Sequence, residues 1–594
     1  MYRAPVDEIA FTLKKVAGLG QAVEAGAFGE LGEDLVDAVL GEAGRFASEE
    51  IAPLASAGDE KGAVLKDGKV TTPPGWKALY RQWAQAGWNG LVGPAAYGGQ
   101  ALPVMLAMAT HEMWNSASMA FGLGPMLTMG AVEALDKHAT PQLKEKYLAK
   151  LVSGEWMGTM NLTEPQAGSD LAALRTRAER ADDGTYRLFG QKIFITYGEH
   201  DFSDNIVHMV LARLPDAPPG TRGISLFLVP KFLVGDDGTL GRRNDVFCSG
   251  LERKLGIHAS PTCTMIYGDG FEGAEPGAVG WLIGEENRGL ACMFTMMNNA
   301  RLAVGVQGVA LAEAATQKAI AYANERRQGR AAGYVGEGMA PIVHHPDVQR
   351  NLLTMKALTQ MARAICYACA HAIDMSHVEG DSGGDEAGRW QDRANLLTPL
   401  AKAFSTDAGV EVASLGVQVH GGMGFIEETG AAALYRDARI APIYEGTNGI
   451  QAIDLATRKL PLGEGEAVHV YIDELVAIAA AARTAEIAEL GGTADLLDQA
   501  LDDLSEATRF LQERHAAGDQ QTLLAGATPY LRLFSLAAGC AYLARGAVAD
   551  RSEARAALCR FSAENLLCEA RGLKERVIGG GPSLAAAGKT LISG

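Results

Sequence analysis

The sequence predicts a mainly α-helical protein with an all-β block set in its middle, and three observations predict it. Residues 1–155 and 286–460 carry apolar side chains at spacings of three and four, the mark of helices with one buried face. From Trp156 to about Gly284 the texture changes to short β-rich runs separated by Gly, Pro and Asp. The chain has 594 residues, more than one hydrophobic core supports, so several domains are expected. The division predicted is an N-terminal extension over 1–40, a helical domain over 41–155, a β domain over 156–285, a helical bundle over 286–462 and a further helical domain over 463–594.

The elements follow in order. LGEDLVDAVLGEAGRFASEEIAPLA and GWKALYRQWAQAG read as amphipathic helices, and the largely apolar run beginning PVMLAMATHEMW as a helix buried on most sides. PQLKEKYLAKLVSG begins with Pro at a first turn and stops at Ser-Gly. RTRAERADDGTYRLFGQKIFIT alternates around Asp-Asp-Gly, which predicts a hairpin. NIVHMVLARL, GISLFLVPKF and TCTMIYGD are further strands. Long helices return over NNARLAVGVQGVALAEAATQKAIAYANERR, HPDVQRNLLTMKALTQMARAICYACAHAIDM and LLTPLAKAFSTDAGVEVASLGVQVH. The acidic Gly-rich stretch EGDSGGDEAGRWQD is expected to be a solvated loop, PLGEGE a linker, and VIGGGPSLAAAG a Gly-rich tail.

Composition removes several classes. A formal charge of −18, from 53 basic and 71 acidic residues, repels phosphate backbones and argues against nucleic acid as a partner. No stretch approaches about 18 uninterrupted apolar residues, so no membrane span is expected. The N-terminus lacks a basic head followed by an apolar run, and the reading is a cytoplasmic protein. Eight cysteines without a scaffold spacing suit a reducing compartment. Cys366 and Cys369 read C-x-x-C, but inside an apolar helical pattern they read as core residues rather than a redox or zinc pair. His344-His345 has no nearby carboxylate set, reads as a loop end before a helix, and no metal is expected.

Four segments carry possible chemistry. NLTEPQAGSDLAA (161–173) offers Thr163, Ser169 and backbone donors in a turn, although alone it is an ordinary Glu-Pro-x-x-Gly turn. KIFITYGEH (192–200) could lay Phe194 and Thr196 against a flat ring, or could be a plain hairpin strand. QVHGGMGFIEE (418–428) places glycines after an apolar helix, where backbone could approach phosphates. In RDARIAPIYEGTNGIQAIDLATRKL (436–460), Glu445 follows apolar Ile443-Tyr444. A carboxylate in such surroundings has its pKa raised, as a general base needs.

The order T-E-P-x-A-G-S-D, K-x-x-I-T, Q-x-x-Gly-Gly-x-Gly-Phe, Y-E-G-T resembles the acyl-CoA dehydrogenase family over roughly residues 40–460. The resemblance implies the acyl-CoA dehydrogenase fold, with a helical domain, a β-barrel-like domain and a four-helix bundle, and an FAD cofactor. By that resemblance Leu162, Thr163 and Ser169 line the flavin and thioester, and Phe194 and Thr196 meet the ring. Phe194 stands where Trp is commoner. Arg326 and Gln328 look like the pair on the pyrophosphate, Gly329 replacing the usual Phe. Gln418, Gly421 and Gly422 would hold the cofactor across a dimer interface and Thr447 its adenine half, with Gly449 where Gln is frequent. Arg301 resembles the family Arg that positions acyl-CoA, Asn298 stands where Asp is frequent, and Tyr444 and Gly446 flank the base on the substrate side. Some branches place their Glu directly before that Arg; here the position is Ala300, so the resemblance makes Glu445 the sole catalytic base.

The implied reaction removes the α-proton of an acyl-CoA to Glu445 and the β-hydride to flavin N5, giving a trans-2-enoyl-CoA, with an electron-transfer flavoprotein as acceptor. LGIHASPTC, YEGTNGIQ and the extra terminal segments are similar to the 3-methylmercaptopropionyl-CoA dehydrogenases and broad-range bacterial relatives. The C-terminal helices are expected to cover bundle surface, which predicts a homodimer. An acyl-CoA oxidase shares these motifs. A DNA-binding flavoprotein relative would need a basic face that the acid-interspersed C-terminal region lacks.

Overall fold

The structure, a computed structural model, describes residues 1–382 and 386–592; the side chains of Asn298, Asp381 and Ser382 fall outside the description. The chain divides into two compact units, one of Met1–Arg45, Val104–Ser116 and Arg301–Gly594, the other of Phe46–Pro103 and Ala117–Ala300.

The second unit holds the strands. A short hairpin, β1 (Val64–Lys66) and β2 (Lys69–Thr71), precedes the main strands β3 (Trp156–Asn161), β4 (Arg177–Arg180), β5 (Tyr186–Thr196), β6 (Asn205–Arg213) and β7 (Ile224–Pro230). They are followed by β8 (Phe232–Val234), β9 (Leu240–Arg243), β10 (Val246–Leu251), β11 (Thr262–Tyr267) and β12 (Ala278–Ile283). The eight-stranded sheet runs β10-β11-β5-β12-β7-β6-β3, with β4 pairing β5 and β6. All seven residues of β7 are buried, as are all but the last of β6, which explains their near-continuous apolar sequences. The hairpin predicted at Asp-Asp-Gly forms, Arg180 pairing Tyr186, with Gly184 at φ 78°. Leu188, Ile195, Val210, Phe227 and Tyr267 lie in one core. Trp76, Trp83 and Phe121 make a second, aromatic core, their ring centroids 6.0–6.3 Å apart. In helix Pro141–Val152 the Thr140 hydroxyl caps Leu143 N at 3.4 Å.

The first unit is helical. The part of helix Gly289–Glu325 from Arg301 onward packs with helices Pro346–Ser382 and Ala387–His420. Small residues let the backbones approach: a Cβ on Gly308 would stand 2.2 Å from the Ser405 carbonyl oxygen, and one on Gly305 2.4 Å from that of Ala401. Arg363 is buried between Glu112 (2.6 Å) and Glu313 (2.7 Å), and the Tyr367 hydroxyl donates to Glu112. Glu466–Thr484, Thr493–Ala516, Gln520–Asp550, Glu553–Asn565 and Glu569–Leu591 form the C-terminal helices. Gly539 of this group packs on Met361 of the bundle. The N-terminal segment joins the same unit through Arg555, paired with Glu8 at 2.6 Å and stacked over Phe11.

The loop predicted over 379–392 is shorter, since one helix runs to Ser382 and the next begins at Ala387; its residues 383–385 lie outside those described. The Gly-rich tail is helical through Leu591, because Leu573, Val577 and Gly581 are buried, Gly581 against Thr522 and Ala525. Tertiary packing here overrides glycine's low helix propensity. Val104–His138 and Gln520–Asp550 are long and apolar enough for a membrane span, yet 83% and 78% of their apolar windows are buried inside the protein. Cys366 and Cys369 are core residues, their thiols directed at the Ala401 and Ala394 carbonyls, and burial pushes the Cys369 thiol up to about 12.

Candidate active site

Within the strand-bearing unit, the first two motifs form one piece. Ile193 N donates to the Thr163 carbonyl at 2.9 Å, and buried Lys192 donates to the Leu162 carbonyl at 3.0 Å and to Glu164 at 2.8 Å. The Glu164 carboxylate also accepts from Arg175 N, Thr176 N and the Thr176 hydroxyl. Burial pushes this carboxyl up, but the Lys192 charge and these donors outweigh it and hold the pKa at about 2. The frame presents Phe194, 59% exposed, at φ 61°. An aromatic residue in the left-handed region stores backbone strain, which persists only where neighbours enforce it. Thr196, paired with Thr262, and Leu162 and Thr163 are half-buried around it, and Ser169 is exposed on the turn.

In the helical unit, Glu445 sits at the apex of a strained turn. Its φ is 54° and that of Gly446 is 83°; the second position favours glycine, since side-chain-bearing residues rarely adopt that φ. Asn448 N donates to the Pro442 carbonyl at 3.0 Å, Thr447 caps the helix Asn448–Asp454 through Ile450 N, and Gln451 Nε2 donates to the Glu445 carbonyl at 3.3 Å. The Tyr444 hydroxyl donates to Gln307. Arg301 approaches Asp454 at 3.9 Å. Burial raises the pKa of the Glu445 carboxyl, and the charges of Arg301 and Lys402 oppose the rise. Such a carboxyl can take a proton from a weak carbon acid and return it.

Two other predicted groups stand in further segments of this unit, and neither is joined to the Glu445 turn by a hydrogen bond or ion pair among the described residues. Arg326 and Gln328 are exposed in a loop pinned by Gln328 N to Ala340 O (2.9 Å) and Ile342 N to Arg326 O (2.8 Å). Gly329 has φ 64°, a conformation Gly adopts without the strain a Phe would carry. Gln418 is exposed at the end of helix Ala387–His420, followed by Gly421 at φ 60° and exposed Gly422. Asn298 lies on helix Gly289–Glu325, its side chain outside those described.

Three residues that sequence reasoning passed over belong to the Glu445 turn: Gln307, Lys402 and Asn448. A single Lys in LLTPLAKAFS and a single Gln in LAVGVQGVAL were the available signals, since an isolated polar residue on an apolar helix has to find a partner.

Family models for the N-terminal, middle and C-terminal domains of acyl-CoA dehydrogenase match residues 35–155, 159–269 and 287–460. A fourth, described as acetyl-CoA dehydrogenase C-terminal like, matches 471–587. The chain is 44% identical to the 3-methylmercaptopropionyl-CoA dehydrogenase of Ruegeria pomeroyi over 99% of both proteins. It is 35% identical to a butyryl-CoA dehydrogenase of Syntrophomonas wolfei, over 81% of this chain and 79% of that one. The crystal structure of an acyl-CoA dehydrogenase complexed with FAD from Bacillus anthracis superposes with a TM-score of 0.73 at 21% identity, over 94% of this chain and 90% of that one. The chain belongs to the acyl-CoA dehydrogenase family, the FAD-dependent oxidoreductases that act on acyl-CoA thioesters.

Proposed function

We propose that the chain oxidises a short acyl-CoA, 3-methylmercaptopropionyl-CoA first among candidates, to its trans-2-enoyl thioester, with Glu445 as the α-proton base. The observation that carries the reading is the Glu445 turn: a half-buried carboxylate in a strained left-handed conformation, its pKa raised by burial, with Arg301 and Lys402 opposing the rise. The substrate assignment is supported by 44% identity over the full length of a relative that bears that name. Butyryl-CoA is the second candidate, from the relative at 35%.

The residues present suit FAD. An exposed aromatic on a pinned strand, with Thr196, Leu162, Thr163 and Ser169 around it, suits a flat heteroaromatic ring. Arg326, Gln328, Gln418, Gly421, Gly422 and the Thr447 hydroxyl offer the donors and open backbone that a pyrophosphate and adenosine require. When bound, FAD supplies a hydride acceptor for the substrate β-carbon.

The chain's own work is proton transfer and charge stabilisation. An α-proton beside a thioester becomes acidic enough only if charge developing on the carbonyl oxygen is met by fixed donors. Among the described residues the Glu445 N–H donates to no protein acceptor, and it is available for that oxygen. Glu445 takes the proton at its carboxylate. Arg301 positions the thioester, with Asn298 just before it in the chain and Tyr444 and Gly446 on either side of Glu445. An electron-transfer flavoprotein as acceptor, a homodimeric assembly and a cytoplasmic setting complete the reading; the eight free thiols fit a reducing compartment.

Anaerobic mixing with 3-methylmercaptopropionyl-CoA, butyryl-CoA and longer straight-chain acyl-CoAs, followed by flavin absorbance, tests it. Fast bleaching by the first, lost in Glu445→Gln, is expected. Bleaching that survives in that variant removes Glu445 as base, and oxygen consumption matching turnover in air would make the protein an oxidase.

A further inference from the structure

We propose that Lys402 and Asn448 form the positioning device for Glu445: a buried ammonium that fixes the Asn448 amide, and through it the turn, while holding a positive charge beside the base. This rests on the reading of Glu445 as the proton acceptor.

Lys402 lies in the middle of helix Ala387–His420, fully excluded from solvent. A lysine in that setting requires a compensating partner. Its Nζ donates to Asn448 Oδ1 at 2.8 Å. With its acceptor oxygen committed, the Asn448 amide nitrogen has one orientation, and its two hydrogens are shared among the Ala403 carbonyl (3.0 Å), the Thr406 hydroxyl (3.0 Å) and Asp407 (2.7 Å). The Asn448 main chain meanwhile closes the turn on the Pro442 carbonyl. One side chain therefore rivets the segment 442–448, with Glu445 at its apex, to a helix that is itself locked in the bundle. A left-handed Glu followed by a left-handed Gly would otherwise relax.

The second part is electrostatic. The charged groups facing Lys402 are Glu445 from the turn, Asp407 from its own helix and Arg301 from helix Gly289–Glu325. Burial lowers the Lys402 pKa to about 7, with Asp407 and Glu445 opposing the fall and Arg301 adding to it. Lys402 in turn lowers the Glu445 carboxyl. The amine thus makes Glu445 ionise at lower pH than burial alone would allow.

The test uses the FAD-loaded, full-length protein. Flavin bleaching by 3-methylmercaptopropionyl-CoA, or by whichever acyl-CoA of the panel bleaches the wild type, is measured against pH for wild type, Lys402→Met, Lys402→Gln, Asn448→Ala and Glu445→Gln. Both Lys402 variants are expected to move the ascending limb up by about one pH unit. Asn448→Ala, which keeps both charges, is expected to slow bleaching at least tenfold without moving the limb. A readout independent of turnover is the thermal midpoint against pH. An amine at about 7 in the folded chain and about 10.4 in the unfolded one makes the unfolded state bind more protons between those values. Stability therefore rises with pH across that window, and both Lys402 variants lose the rise. An unmoved limb in the Lys402 variants, or an unchanged rate in Asn448→Ala, overturns the proposal; the Asn448 arm decides alone if neither Lys402 variant holds flavin. Bleaching that persists in Glu445→Gln instead overturns the reading beneath it.

Discussion

Lys192 and Glu164 make a 2.8 Å ion pair from which solvent is excluded on both sides, the side chains 0% and 3% exposed. The pair fastens the strand that carries Phe194 to the turn that carries Leu162 and Thr163, so two motifs 28 residues apart behave as one surface. Removing one partner of a buried pair leaves an uncompensated charge, which costs about 3–5 kcal/mol. Glu164→Ala is therefore expected to lower the denaturation midpoint strongly and to release flavin on gel filtration, and Glu164→Gln, which keeps an acceptor for Thr176, to do less. The folded carboxyl titrates at about 2 against an ordinary 4.5. Its contribution is full above about 4.5 and is lost as pH falls through 2.

Gly308 and Ser405 mark a close helix crossing in the bundle, where an added Cβ would lie 2.2 Å from a carbonyl oxygen. Backbone cannot yield as a flexible side chain does, so Gly308→Ala has to separate two buried helices. Overpacking of this kind costs about 1–3 kcal/mol or more. Calorimetry is expected to show a lowered midpoint, and Gly388→Ala, with open space around it, little change.

The helices and strands were legible because their periodicities are physical. The β-rich runs NIVHMVLARL and GISLFLVPKF announced strands β6 and β7, and Asp-Asp-Gly announced the β4–β5 turn. What was not legible depended on partners far along the chain. Nothing near Gly579-Gly580-Gly581 says that Thr522 and Ala525 will hold it helical. Of the candidate site, the apolar company of Glu445 was readable from Ile443 and Tyr444. The charges that temper it come from Arg301 and Lys402, 144 and 43 residues earlier, and no local pattern pairs those positions with it.

The eight cysteines give a test of the packing. Seven are buried and Cys568 is exposed. A thiol reacts as the thiolate and needs access, and burial pushes Cys366 and Cys369 up. Ellman's reagent is expected to titrate one thiol quickly in the native protein and all eight in denaturant, with Cys568→Ser abolishing the fast phase. A second fast thiol lost in Cys366→Ala would mean that the C-x-x-C helix opens.

Arg301 is the second cation acting on Glu445, and its own counter-ion is Asp454, at 3.9 Å. Asp454 is shared with Arg458 at 3.3 Å and Lys459 at 3.8 Å, so three cations share one carboxylate and Arg301 is only partly neutralised. Its remaining charge falls on Glu445 and lowers a pKa that burial raises. The working form of the base is ionised, so the rate of flavin reduction climbs with pH through that pKa and levels off above it. Arg301→Gln is expected to move the climb to higher pH. On the rising part of the profile the variant is expected to be slower than wild type by about tenfold if the climb moves by about one pH unit. On the plateau above the climb the electrostatic part of the deficit disappears, and what is left measures the role of Arg301 in holding the thioester. Arg301 and Lys402 both act on Glu445 through charge and also on each other, so the double variant is expected to displace the limb further than either single variant, though not by the sum of the two. A double variant no further displaced than Arg301→Gln alone would show that Lys402 contributes no field at the base.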